Sequence, residues 1–335
     1  MNRLKLLSLF AGCLLAIFTL AQAAEPVFRL TGKQSLAGSV RWDYLSFDAP
    51  GNRLFITRGD HVDVYDTVLA QVTGTILDTP GVHGVALAPD LNRGYTSNGL
   101  NSSVTVFEMA TLRPLGTFPT EKKPDAIIYD PATKRVFVAN GDSGTLTVID
   151  AIAQKSVGTV SIGGKLEFAA VDGSGLLFVN VEDRNAIAVV NTRSLKVVAT
   201  HDISSGCEEP TGLSIDVATQ RLFVGCRNEK MAVVSAKTGK ILASVPVGKG
   251  CDATAFDPGL NLAFASAGDG TLTIVSGTDY AARQVVSTQP TARTMALDEV
   301  HHRAYTVAAE REEPTAAGGR PKLKDGSFAL ITVGL

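Results

Sequence analysis

The sequence predicts an all-β protein, a seven-bladed β-propeller of four-stranded antiparallel blades, and three observations carry that expectation. A unit of apolar run, turn and apolar run recurs at a nearly constant interval. A content of 32 Gly with 6% aromatic residues suits many short strands and tight turns, and no helix-length stretch of 3.6-residue apolar period interrupts the repeats. With 335 residues and 45% hydrophobic content the chain can bury a full core, which excludes disorder as its main state.

The N-terminus comes first in the order of elements. Arg3 and Lys5 give it positive charge, residues 6–20 are an almost unbroken apolar run, and Ala21-Gln22-Ala23 supplies small residues ahead of a cleavage point. This is the layout of a secretory signal over 1–23. Its removal would leave 24–335 as one domain in an oxidising compartment, the bacterial periplasm, with no membrane span. An uncleaved anchor is the alternative, since the apolar run nearly spans a bilayer. A lipoprotein signal at Phe10-Ala11-Gly12-Cys13 fits less well, because the apolar run continues past the cysteine. Loss of Cys13 leaves Cys207, Cys226 and Cys251, enough for one disulfide whose pairing the sequence leaves open. No CxxC or Cys/His ligand spacing occurs, so a structural zinc site is not expected.

The repeats follow. An apolar strand ends in Asp, and a short turn leads to Arg or Asn and a second apolar strand. Examples are Ile128-Tyr129-Asp130 before Arg135-Val136-Phe137-Val138, and Ile215-Asp216 before Arg221-Leu222-Phe223-Val224. The turn positions 48, 88, 130, 172, 216, 257 and 298 lie 40 to 44 residues apart. Ala88 replaces the Asp in the second copy, and the turn after Asp172 is one residue short. In the third repeat four strands are expected at 126–129, 135–139, 145–150 and 156–161. Four strands at this period are the mark of a propeller blade. The first strand of each repeat is apolar on both faces, as an inner strand between neighbouring blades requires. The last repeat supplies its third strand within 328–333, so the segment 27–36 is expected to pair there as the fourth and close the ring. Residues 310–325 form an insertion in this last repeat.

The units Lys134-Arg135-Val136-Phe137-Val138-Ala139-Asn140 and Gln220-Arg221-Leu222-Phe223-Val224-Gly225 resemble the YVTN-repeat, YncE-like family of bacterial exported β-propellers. So do Pro80-Gly81-Val82-His83-Gly84, Glu208-Glu209-Pro210-Thr211-Gly212 and the run Ala292-Arg293-Thr294-Met295-Ala296-Leu297-Asp298. The resemblance covers the whole mature chain. It implies a seven-bladed propeller in the periplasm or at the cell surface; in one relative it implies single-stranded DNA binding, and in others an association with quinoprotein dehydrogenase pathways. The tyrosine of the family motif is Phe at positions 55, 137, 178, 223 and 264.

In a propeller the loops before the first strands and those after the second strands share one face. Five residues before each turn position stand Asp43, His83, Asp125, Glu167, Thr211, Asp252 and Arg293, all polar or charged. They are expected to ring the channel mouth as the ligand-binding site. The loops after the second strands add Arg58, Asp60, His61, Asn98, Asn140, Asp142, Glu182, Asp183, Arg227, Asn228 and Asp269. The bland explanation is that polar residues simply begin strands in water. A divalent metal would take Asp125, Glu167, Asp252 and Asp43 as oxygen donors; a small polar or anionic ligand would use Arg293 with His83. His301 and His302 fall in a turn on the opposite face and read as solvated.

The functional expectation is a binding or scaffold protein, acting as a monomer, that recognises a small molecule or partner protein at the mouth. The alternative is a metal-dependent, lactonase-like hydrolase. Nucleic-acid binding ranks third: the formal net charge is −2, becoming −4 once Arg3 and Lys5 leave with the signal, and Trp42 is the only tryptophan.

Overall fold

The computed structural model describes residues 25–38, 41–312 and 322–335. The expected signal segment 1–23, and 313–321 of the insertion, lie outside the described residues. Seven four-stranded antiparallel sheets are arranged as the blades of a propeller. The third blade shows the pattern: Pro124–Asp130 innermost, then Arg135–Asn140, Thr145–Asp150 and Lys155–Ser161. In the last blade Met295–Asp298, Arg303–Ala308 and Ala329–Gly334 are followed outward by Arg29–Ser35, antiparallel to Ala329–Gly334.

Each recurring residue has a mechanical task. The repeat Asp caps the turn between first and second strands: Asp130 accepts from the Ala132 N–H and Thr133 hydroxyl, Asp172 from the N–H groups of Ser174, Gly175 and Leu176. Where Ala88 stands instead, a 3₁₀ turn, Pro89–Leu91, replaces the cap. The residue just before the second strand has positive φ in every blade: Asn52, Asn92, Lys134, Gln220, Asn261 and His302 in six, and Gly175, at φ 121°, in the short fourth turn. A left-handed residue of this kind closes a hairpin at the twist the strands need.

The arginine that opens many second strands is a staple to the next blade. Arg53 donates to the Met109 carbonyl at 2.5 Å, Arg93 to Ala151 at 2.8 Å, Arg135 to Thr192 at 2.6 Å, and Arg221 to the Tyr280 hydroxyl at 2.9 Å. Between these seams the second and third strands bury their apolar faces in clusters that span adjacent blades, Phe137 with Leu177 and Phe178 with Leu222 among them.

At the other face a second set of latches fixes the backbone around the mouth. Ser97 donates to the Asp125 carbonyl, Asn180 to Thr211 at 2.8 Å, and Thr211 to Cys251 at 2.8 Å. Ser266 donates to Arg293 at 2.5 Å, and Thr294 to Asp43 at 2.7 Å, across the seam between the last and first blades. A disulfide joins Cys207 to Cys226 in the fifth blade, and Cys251 is a buried free thiol.

Candidate functional site

The seven mouth positions rest on those latched backbones, and five of them share one charge network. His83 Nδ1 lies 2.6 Å from Asp43 Oδ2 and 3.7 Å from Asp125 Oδ1. On its other side Asp43 lies 3.6 Å from Arg293, whose Nε donates to Asp252 at 2.6 Å. A run of alternating charge thus passes through blades three, two, one, seven and six. Glu167, in blade four, pairs instead with Lys165 at 3.0 Å. Lys165 also holds Glu182, which accepts from Arg227 of blade five at 3.1 Å. Thr211 is the exception among the seven: it is 1% exposed and its hydroxyl donates to the Cys251 carbonyl, so it serves the frame and offers nothing to the mouth.

Two aromatic rings lie beneath the network. Tyr44 of blade one and Phe168 of blade four meet edge to face with centroids 4.3 Å apart, and the Tyr44 hydroxyl lies 3.4 Å from Glu167. Two blades three positions apart can touch only across the channel, so these rings form a floor and the mouth is a blind bowl. Sequence reasoning missed both rings, because inner strands are apolar throughout and nothing local marks which side chain reaches the axis.

This dry floor decides the protonation of the groups above it. Burial, with the charge of Asp43 added and that of His83 opposing, pushes Asp125 up to about 6. Burial first, and the nearby Asp125 second, push Glu167 up to about 8 despite Lys165. Asp252 is raised by burial against the pull of Arg293. Burial opposes the charged form of His83, yet its hydrogen bond to Asp43 and the charge of Asp125 outweigh that, and its pKa is raised. Burial and four surrounding carboxylates lift Tyr44 far above its ordinary value.

Among the remaining loop residues, several belong to the frame. Arg58 pairs with Asp63 at 2.6 Å and lies over the Phe328 ring at 4.0 Å, while Asn98 and Asn140 tie the second strands of their blades to the third. On the opposite face His301 and His302 do not simply stand in water. His301 caps against Asp298 at 2.7 Å, and His302 reaches across a seam to the buried Asp257 at 2.7 Å.

The mouth is not the acidic pit that its ring suggests. A cleft of about 630 Å³ opens beside it, lined by Arg41, Lys122, Lys123 and Arg293 against Asp43 and Asp142, with Trp42 and Leu100 as apolar wall. A second cleft, of about 530 Å³, carries Arg227, Lys249, Arg293 and Arg311 against Asp252 and Asp269. The ring acids face His83, Arg293 or Lys165, and the lysines just before the inner strands bring further cations. Those lysines were visible in sequence, but counting to a single position per repeat passed over them.

No family model matches the chain, and no curated protein matches it by sequence. Among solved structures, one described as "Crystal Structure of Mitotic Checkpoint Complex" contains a similar chain. The TM-score is 0.76 and the identity 13%, over 100% of this chain and 99% of that one. At that identity the likeness shows the fold alone. Fold and site together define a seven-bladed β-propeller with a blind, charge-networked mouth on one face. Among the described residues no helix is long and apolar enough to cross a membrane.

Proposed function

We propose that this is an exported propeller of the YVTN-repeat kind that binds a small organic anion at its mouth. One observation carries the reading: in a chain of net negative charge, the cleft beside the channel is bordered by four cationic side chains and two carboxylates around a tryptophan. The Trp42 indole N–H is buried and has no acceptor among the described residues, and Arg293 lies 5.8 Å from the ring centroid. A ligand with a carboxylate or phosphate for the cations and a flat apolar body for Trp42 matches this lining. The blind floor favours a small molecule over a threaded chain. The export signal and the repeat resemblance support a periplasmic setting, which Edman sequencing of the cell-purified protein would check by starting at Ala24.

The decisive experiment is a thermal-shift screen of aromatic carboxylates and phosphates, followed by calorimetry on the hits. A hit whose affinity falls at least about tenfold in Lys122→Ala/Lys123→Ala, as loss of a charge-assisted contact requires, supports the reading. A screen in which only single-stranded oligonucleotides or protein partners bind would replace it.

A further inference from the structure

We infer that Asp43, His83 and Asp125 form a binding site for a divalent transition-metal ion, of the zinc or manganese type, on the inner wall of the mouth. This goes beyond organic-anion binding and does not depend on it.

The three residues come from three consecutive blades, and one ligand atom from each lies within 4.8 Å of the others. His83 Nδ1 stands 2.6 Å from Asp43 and 3.7 Å from Asp125, on either side of the roughly 3.4 Å that separates ligands about 2.1 Å from a tetrahedral ion. A second feature points the same way. Asp125 Oδ1 is sealed from solvent and receives no hydrogen bond among the described residues, and it faces His83 Nδ1 at 3.7 Å. A buried carboxylate oxygen with no donor is costly unless something cationic completes it.

The donors are also held in place before any ion arrives. The Asp43 N–H donates to Thr57 at 2.9 Å and its carbonyl accepts from Thr294. The His83 carbonyl accepts from the Tyr44 N–H at 3.0 Å, and the Asp125 carbonyl from Ser97. Ligands on latched strands lose little freedom on binding.

One imidazole with two carboxylates suits a borderline ion better than Ca²⁺ or Mg²⁺, which prefer oxygen alone. Three protein ligands leave coordination positions open toward the cleft, the arrangement of a site that also meets a ligand. Glu167 and Asp252, which the sequence placed among the oxygen donors, stand outside the group: Lys165 holds one and Arg293 the other. The hydrogen bond between His83 and Asp43 is what an ion would replace.

Calorimetry with ZnCl₂ and MnCl₂ on chelator-treated mature protein tests this, with Co²⁺ absorption and Mn²⁺ paramagnetic resonance reporting the ligand field. One equivalent is expected to bind, and His83→Ala and Asp125→Asn to weaken it by more than about a hundredfold, beyond what loss of an outer partner costs. Glu167→Gln and His61→Ala should bind as the parent does. Circular dichroism confirms that each variant is folded, and His83→Gln substitutes if the alanine variant is not. Absence of uptake at millimolar ion, or parent-like affinity in folded His83→Ala and Asp125→Asn, would overturn the site. Ion binding without any organic-anion hit removes only the cleft reading, and the reverse result removes only this one.

Discussion

The two faces of the ring use the same residue types for opposite ends. On the base, Asp48 holds Arg53 at 2.7 Å, Asp298 holds His301 and the hairpin N–H groups behind it, and Asp257 holds His302 from the next blade. Each such carboxylate has its donors supplied locally, so base charges are spent on shape. At the mouth, Asp43 and Asp125 share the single imidazole of His83, and Asp125 Oδ1, 3.7 Å from that ring, accepts no hydrogen bond among the described residues. An Asp–His contact of about the same length therefore closes a turn in one place and joins two carboxylates to one imidazole in the other. Asp257 and Asp298 have both oxygens bonded, whereas Asp125 has a buried oxygen that accepts no hydrogen bond among the described residues.

The contrast can be broken most strongly at the channel floor. Phe168→Ala should destabilise the ring by about 3 kcal/mol, the cost of emptying an aromatic site. It should also let water reach Glu167 and bring its pKa down toward the ordinary carboxylate range, which a carbon-13 carboxyl titration reads. An unchanged Glu167 titration would show that the floor does not set the polarity of the mouth. Next in size, Asp257→Ala on the base should cost roughly 2 kcal/mol in urea melts, because His302 and the Leu260 N–H lose a buried partner. Mouth binding should survive in that variant; loss of it would mean the faces are coupled.

Glu167→Gln sharpens the comparison through pH. Its folded pKa of about 8 lies above the ordinary 4.5, so the folded state holds a proton that the unfolded chain has released. The sign follows: this group makes stability fall as pH rises from about 4.5 to about 8, and the Gln variant should lose that part of the slope. His83, also raised, adds a loss in the same direction at higher pH than its ordinary value. A parent protein whose stability rises steadily over that interval would contradict this account. The smallest effect is expected at Lys134→Ala, since the Lys134–Asp90 pair is exposed on both sides and worth under about 0.5 kcal/mol in a thermal melt.

The architecture was legible because its determinants are periodic. An Asp cap, a left-handed turn residue and an Arg staple recur in the same order, and each acts within one blade or on its immediate neighbour. The ring of mouth positions was legible for the same reason, down to His83 and Asp43 standing one blade apart. What the residues do there was not. Thr211 occupies a ring position and turns into the frame, while Lys165 and Glu182 lie off the counted position and join the network. Tyr44 and Phe168 meet only because the ring is closed, and contact across a closed ring leaves no local trace. The disulfide choice was open for a similar reason: Cys207 and Cys226 are paired by the geometry of one blade's upper loops, and Cys251 belongs to the next.

The staples leave one more consequence. Where the second strands of the fourth and sixth blades begin, the arginine position is Leu176 and Leu262, and apolar side chains pack the seams that follow, Phe178 with Leu222 in one and Phe264 with Met295 in the other. Guanidinium–carbonyl seams and an apolar seam respond differently to temperature, because burial of apolar surface loses its driving force on cooling. Cold should therefore loosen this ring unevenly, with amide exchange in the strands flanking the two seams without an arginine, four to five and six to seven, rising before the stapled seams follow.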